Sequence, residues 1–333
     1  MHCLGNYPTS RKELTLEEWK KVIDELVQEE VFYINISGGE PTISPFFKQF
    51  LKYLNYKGLH FILTTNGIFS AHLRKFISEQ REYLIGIKFS LDGYDATSFA
   101  YLRNTSKRNF NRVMQNIIYF KSNKIPITIA TTLHQKNIVK FQRYLHLIRK
   151  IKPISWLISP IIPVGRGRFI KRINYEFFSK DFWDSIMQSC EKEKINIQLI
   201  DLPYKFKDIK KLDYYECGAT ITFCEINADG TVAPCTLARV GIPKKVLKFE
   251  NIKKKRLKEI WNGKAFQRFR NFMTEGCKGC KAFDKCYKCV AQSFIYFSRG
   301  DFPTPYCIAS GERLGLKNLK RLRKILQLKS NTN

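Results

Sequence analysis

The chain has 333 residues, 44% of them apolar and 14% aromatic, which supports one large or two medium-sized folded domains and excludes a disordered chain. Its 58 Lys and Arg against 29 Asp and Glu give a net charge of +29, but the basic residues are spread over the whole length, so charge alone does not mark a nucleic-acid or lipid binder. There is no run of 18 apolar residues and no apolar stretch in the start MHCLGNYPTSRKELTLEEW, which excludes a membrane-spanning helix and a secretory signal and points to the cytoplasm, where thiols stay reduced.

Thr15-Leu16-Glu17-Glu18 is a capping box, with Thr15 at the N-cap and Glu18 at the third helical position. The helix that follows carries Trp19, Val22, Ile23 and Leu26 on one face. Residues 31–37 (VFYINIS) read as a buried strand, closed by Gly38-Gly39-Glu40-Pro41. A helix over 45–56 leads to a strand over 59–65, which ends at Asn66-Gly67. A helix near 70–80 precedes a strand over 85–91, which ends at Asp92-Gly93. A helix over 110–121, a strand over 125–132, a helix over 137–148 and a strand over 154–161 complete the series.

Strand–helix alternation with short apolar strands predicts a parallel sheet covered by helices. The count is five strands, and a helix precedes the first of them. Each strand ends in a polar or glycine-rich loop, on the edge where α/β folds place their chemistry. This unit spans 1–170. Residues 171–212 read as a connecting segment with a helix near 178–193 and the short strand INIQLI. Cys190 lies in that helix and reads as a buried small hydrophobe. A cysteine-rich unit occupies 213–310. The tail, 311–333, sets Leu314, Leu319, Leu322, Ile325 and Leu326 among Lys and Arg, the pattern of a basic amphipathic helix docked on the body. The histidines, His2, His60, His72, His134 and His146, show no ligand spacing.

Eight of the ten cysteines fall in one ordered array: Cys217, Cys224, Cys235, Cys277, Cys280, Cys286, Cys289 and Cys307. Cys277-x2-Cys280 and Cys286-x2-Cys289 are two knuckles, each able to turn both sulfurs onto one ion or cluster. A structural zinc needs four thiolates, and so does a four-iron cluster. Eight cysteines therefore imply two sites, and spacing alone leaves zinc and iron–sulfur both open.

The surrounding residues resemble the SPASM extension of radical SAM enzymes. Asn227-Ala-Asp-Gly-Thr-Val-Ala-Pro-Cys235 resembles that family's hairpin, with a tight turn at Asp229-Gly230. Asn251-Ile252 and Leu257-Lys-Glu-Ile-Trp261 resemble its linking helix, and Tyr306-Cys307 its closing cysteine. In the N-terminal half, Gly38-Gly39-Glu40-Pro41 resembles the family loop that holds the methionyl amino group of S-adenosylmethionine, where glycines permit close backbone approach. Thr64-Thr65-Asn66-Gly67 and Ser90-Leu91-Asp92-Gly93 resemble the motifs ending the next two strands. Arg103 resembles the arginine that, with Ser90, would bind the cofactor carboxylate, a task suited to guanidinium. Pro163-Val164-Gly165-Arg166 stands where a loop approaches the adenine.

The resemblance implies a partial (β/α)6 barrel lacking its first strand, followed by a small α+β cysteine-rich domain. It implies S-adenosylmethionine-binding by Gly38, Gly39, Glu40, Thr65, Asn66, Ser90, Asp92 and Arg103. Cys217, Cys224, Cys235 and Cys289 would hold the nearer auxiliary [4Fe-4S] cluster, and Cys277, Cys280, Cys286 and Cys307 the outer one. Four ligands on the nearer cluster leave no open iron, which suits electron transfer. The implied reaction forms a 5′-deoxyadenosyl radical that abstracts hydrogen from a peptide or a peptide- or haem-derived cofactor precursor. An electron donor such as ferredoxin or flavodoxin is implied, and a basic chain suits an acidic leader peptide. Thr236 stands where sulfatase-maturing members carry an aspartate, which argues against that activity.

One departure stands out. The family's first cluster is bound by C-x3-C-x2-C, and Met1-His2-Cys3 resembles only its last three residues. The spacing from Cys3 to Gly38 is normal for the family, so the first strand and two earlier cysteines are expected upstream of Met1. The alternative is a relative that no longer makes radicals and serves as an iron–sulfur scaffold. A second rival is a zinc-stabilised basic nucleic-acid-binding protein, against which the ordered GGEP, TTNG and SLDG motifs and Arg103 all stand. Anaerobic reconstitution separates the metals. Clusters give a brown protein with about eight or more irons per chain, and zinc gives a colourless one.

Overall fold

The computed structural model describes residues 12–165, 167, 180–201, 217–271, 289–298 and 300. The capping box forms as read. Thr15 Oγ1 accepts from the Glu18 amide at 3.2 Å, and Glu18 accepts from the Thr15 amide at 2.8 Å, opening α1 (Leu16–Gln28). Val22, Ile23 and Leu26 are its buried residues.

Six strands then form one parallel sheet: β1 (Tyr33–Ile36), β2 (His60–Thr65), β3 (Leu84–Ser90), β4 (Ile127–Leu133), β5 (Ser155–Pro160) and β6 (Ile197–Leu199). Between them run α2 (Phe47–Tyr56), α3 (Ala71–Glu79), α4 (Ala96–Arg103), α5 (Lys107–Ser122), α6 (Gln135–Ile138), α7 (Phe141–Ile151) and α8 (Lys180–Lys192). Strand order follows chain order. Right-handed crossovers then place every connecting helix on the same face of the sheet, which leaves the other face as the inner wall of an open barrel. The strand pattern agrees. In β4, Ile127, Ile129, Thr131 and Leu133 are buried, and the alternate Thr128, Ala130 and Thr132 are half-buried on the inner face. Leu51, Leu54, Phe61, Leu63, Ile77, Phe89, Phe120, Ile129 and Trp156 make a fully buried layer between sheet and helices.

Three expectations change. The strand INIQLI, read as part of a connecting segment, pairs with β5 from Trp156↔Ile197 to Ile158↔Leu199 and is the sixth strand. Residues 31–37 read as a buried strand, yet β1 alternates exposed and half-buried residues, and Tyr33 is 52% exposed. Its apolar residues pack on one side only, because among the described residues β1 pairs with β2 alone. The helix α4 was not foreseen. Its stripe is thin, with only Phe99 and Leu102 buried, and a capping box between Asp95 and Ser98 starts it. Cys190 is fully buried in α8, as expected.

The cysteine-rich unit contains a second, antiparallel sheet of β7 (Glu225–Ile226), β8 (Thr231–Ala233) and β9 (Glu250–Asn251). It also contains α9 (Thr236–Gly241), α10 (Leu257–Trp261), α11 (Lys264–Arg270) and α12 (Val290–Phe297). The tight turn at Asp229-Gly230 forms. Gly230 has φ +83°, its amide donates to the Asn227 carbonyl at 2.8 Å, and Asp229 Oδ1 accepts from the Thr231 amide at 3.0 Å. Among the described residues no helix is long and apolar enough to cross a membrane.

This unit docks on α1. The Leu14 amide donates to the Ala228 carbonyl at 2.7 Å, and Lys253 pairs with Glu18 at 2.9 Å. Arg256 and Lys258 approach Glu25 and Glu29 at 3.6 and 3.7 Å. Such surface pairs are individually weak. The stronger contact is the Glu25 carboxylate on the Leu257 amide, because it caps a first-turn N–H of α10 that has no intrahelical partner. Glu25→Ala should therefore destabilise the protein by about 1–3 kcal/mol, and urea unfolding followed at Trp261 checks it.

Candidate functional site

The N-terminal motifs converge on the carboxyl edge of β1, β2 and β3. Gly38, Gly39 and Glu40 follow β1; Thr65 ends β2 and Asn66 follows it; Ser90 ends β3 and Asp92 follows it; Arg103 ends α4. Parallel pairing of β1 with β2 and of β2 with β3 sets these ends side by side.

Gly38 has φ +136°, a conformation closed to residues with a Cβ. A Cβ built on Gly38 or Gly39 would meet nothing within 4 Å. The space beside both backbones is therefore open and accessible to a ligand. Glu40 has a bracing role. Its Oε1 accepts from the Thr42 hydroxyl at 2.6 Å and the Thr65 hydroxyl at 2.7 Å, and its Oε2 accepts from the Asn66 amide at 2.6 Å. Asn66 in turn accepts from the Ile68 amide at 2.7 Å. Gly67, at φ +76°, has no room for a Cβ, which would lie 2.7 Å from the Phe89 ring.

Asp92 is buried, and its carboxylate joins two elements. Oδ1 accepts from the Thr132 amide at 2.8 Å, and Oδ2 pairs with Arg103 Nε at 2.8 Å. The ion pair holds the Arg103 guanidinium beside Asp92 at this strand edge, where its terminal nitrogens suit an anion. Ser90 makes no side-chain hydrogen bond among the described residues and lies half-buried beside the Asp92 loop. The residues named from the sequence thus divide: Gly38, Gly39, Ser90 and Arg103 face open space or retain donors, while Glu40, Thr65, Asn66 and Asp92 hold the loops.

Sequence reasoning missed further braces. The Tyr144 hydroxyl donates to the Asp92 carbonyl, and burial followed by the Asp92 charge pushes its pKa upward. Asn116, buried in α5, donates to the carbonyls of Gly67 at 2.8 Å and Phe69 at 3.2 Å. Asn137 ties the Thr132 carbonyl to the His134 amide, at 2.8 Å each. A polar residue inside an apolar helix stripe was the only signal, and it names no partner.

The second cluster of residues lies in the cysteine-rich unit. Cys217, Cys224, Cys235 and Cys289 are described; Cys3, Cys277, Cys280, Cys286 and Cys307 lie outside the described residues, as do Arg166 and the tail. Cys235 is the N-cap of α9, and its Sγ accepts from the Ala238 amide at 3.3 Å. Cys289 is the N-cap of α12. These two helices pack closely, since a Cβ on Gly241 would lie 2.5 Å from Ile295 Cγ1. Glu225 ties β7 to α9, accepting from Arg239 at 3.0 and 3.3 Å and from the Thr236 hydroxyl at 3.1 Å. That fixes Cys224 relative to Cys235, each of which directly precedes a residue of this bridge.

Burial pushes the thiols of Cys224 and Cys235 up to about 12, and that of Cys289 well above its usual range. The charge of Cys217 adds to the rise at both Cys235 and Cys289, and that of Cys235 to the rise at Cys289. These three sulfurs therefore share one buried neighbourhood. Among the described residues no three Cys, His, Asp or Glu side chains close on a single ion. A four-iron cluster sets its thiolates around a larger body than one zinc does. An all-sulfur, largely desolvated donor set, with a backbone N–H on Cys235, fits that group, whose positive charge would make the thiolates the stable form.

Comparison with known proteins bears on both halves. The family model of the radical SAM superfamily matches residues 2–148, and that of the SPASM iron–sulfur cluster-binding domain matches residues 217–289. The chain is 25% identical to the AdoMet-dependent heme synthase of Methanosarcina barkeri, covering 92% of each chain. It is 24% identical to the mycofactocin maturase MftC of Mycobacterium tuberculosis, covering 92% of this chain and 79% of that protein. The fold matches SuiB of Streptococcus suis bound to S-adenosylmethionine with a TM-score of 0.73 at 18% identity, over 92% of this chain and 73% of SuiB.

Asp92→Asn removes the counter-charge of Arg103 and keeps the acceptor for the Thr132 amide. Because Arg103 retains some contact with solvent, the expected loss is that of one partly screened ion pair, about 1 kcal/mol. Urea denaturation measures it. A loss below the error of the fit would show that the pair contributes nothing.

Proposed function

Because the chain belongs to the radical SAM superfamily and carries a SPASM iron–sulfur domain, we propose that it is a maturase acting on a peptide or a peptide- or haem-derived cofactor precursor. S-adenosylmethionine and [4Fe-4S] clusters are the cofactors of these domains. When bound, they supply a 5′-deoxyadenosyl radical able to take hydrogen from an unactivated carbon.

The observation that carries this reading is the convergence of the Gly38-Gly39 backbone, Ser90 and Arg103, paired with Asp92, on one strand edge. In the proposed mechanism, Gly38 and Gly39 admit the methionyl end of the cofactor against bare backbone. Arg103, held by Asp92, receives its carboxylate together with Ser90. Glu40 keeps the β1 and β2 loops at a fixed separation, so the binding groups are set before the ligand arrives. Cys217, Cys224, Cys235 and Cys289 would hold the nearer auxiliary cluster. A ferredoxin or flavodoxin would supply the electron.

The substrate class rests on relatives. MftC is a mycofactocin maturase, the archaeal relative is a heme synthase, and SuiB has been crystallised with its precursor peptide SuiA. The reading is tested on anaerobically reconstituted protein that carries all three cysteines of the C-x3-C-x2-C motif, reduced with dithionite. The expected products are 5′-deoxyadenosine and methionine in equal amounts. Full iron content without 5′-deoxyadenosine would favour the scaffold reading instead. Cys224→Ala should lower iron content by about four per chain if Cys224 completes the nearer cluster. Unchanged iron would sink that division of ligands.

A further inference from the structure

Among the residues of all six strands of the parallel sheet, Lys88 is the one Lys, Arg, Asp or Glu. It lies in β3 between Ile87 and Phe89, which are buried on the helix side. Its own side chain therefore points into the barrel lumen. The register places it in a polar row across the inner face: Thr64 pairs with Lys88, Lys88 with Thr128, and Thr128 with Ser155. Asn35 extends the row to β1, where its Oδ1 accepts from the Thr64 hydroxyl at 2.8 Å. At the inner end, Ser155 Oγ is buried without a hydrogen-bond partner among the described residues.

We propose that Lys88 is an anion-binding residue of the lumen, placed to receive a carboxylate of the molecule being modified. The row offers hydroxyl and amide groups but no acid, and Lys88 has no ion-pair or hydrogen-bond partner among the described residues. A half-buried ammonium without a counter-charge costs stability, and burial already holds its pKa below the usual lysine range. Neutral side chains would fill this wall at no such cost. Ser90 lies two residues further along the same face, about 6.6 Å towards the strand edge. A carboxylate on Lys88 would thus anchor a substrate directly beneath the proposed cofactor site. This assignment deepens the maturase reading and rests on it for the identity of the substrate.

The experiment is reductive dimethylation of full-length reconstituted protein, with the rate at Lys88 read by peptide mass spectrometry. N-acetylglutamate α-amide is the anionic probe, and N-acetylglutamine α-amide is its neutral match. The glutamate probe should slow labelling of Lys88 several-fold, the glutamine probe should not, and exposed lysines such as Lys52 should label alike throughout. The glutamate probe should also raise the Tm of the wild type and of Lys88→Arg, but not that of Lys88→Met. Equal labelling with both probes, or a Tm rise retained in Lys88→Met, overturns the proposal. So does protection by S-adenosylmethionine alone, which would assign the anion to the cofactor. Protection that persists in protein forming no 5′-deoxyadenosine would sink the radical reading and leave the anion site standing.

Discussion

The Glu40 carboxylate is the contact on which the N-terminal site depends. One side chain joins the loop after β1 to the loop after β2, accepting from Thr42, Thr65 and the Asn66 backbone. Without it, Gly38 and Gly39 would be two glycines in an unsupported loop, with the backbone freedom that glycine brings. The open space beside them is useful only if their position is fixed. The same logic continues around the edge. Asp92 ties the β3 loop to β4 and to α4, Tyr144 holds that loop from α7, and Asn116 holds the β2 loop from α5. Each bond uses a buried polar group whose partner is backbone or a charged side chain. That is how a parallel sheet turns loose strand ends into a preorganised surface.

The cysteine-rich unit is built on a different balance. Its strands are two or three residues long and its helices have five to eight residues. Such elements bury little apolar area on their own, so the fold needs outside support. Two supports are visible: the docking on α1 through Glu18, Glu25 and Ala228, and the Glu225–Arg239 bridge. The third is the desolvated thiol group itself. Thiols as buried as Cys235 and Cys289 satisfy their surroundings when neutral, or when a cluster balances their charge.

What the sequence made legible was local. A capping box is written within four residues, and the Thr15 box forms as read. A turn such as Asn227 to Gly230 needs its own residues and little else. The glycine-rich strand ends were readable because their chemistry is backbone chemistry. The sixth strand was hidden because three residues, Ile197 to Leu199, carry no period long enough to distinguish a strand from a linker. The exposure of β1 was hidden because an apolar run reports hydrophobicity, whereas exposure depends on which neighbours pair with it. Glu40 and Asp92 were identified as site residues, but their bracing role was not, since Thr65 lies 25 residues from Glu40 and Thr132 lies 40 from Asp92.

The two halves meet through charge, and the signs are informative. Across the contact, α1 and its C-cap present Glu18, Glu25 and Glu29, and the cysteine-rich unit answers with Lys253, Arg256 and Lys258. In a chain with twice as many basic as acidic residues, three acids on one short helix face form a local exception. Each pair is worth little alone. Together they make this orientation of the unit electrostatically consistent. Orientation matters more than affinity here, because the two parts are joined covalently and meet at high effective concentration. The constraint on α1 is therefore geometric. It fixes where Cys217, Cys224, Cys235 and Cys289 stand relative to the strand edge that carries Gly38, Ser90 and Arg103.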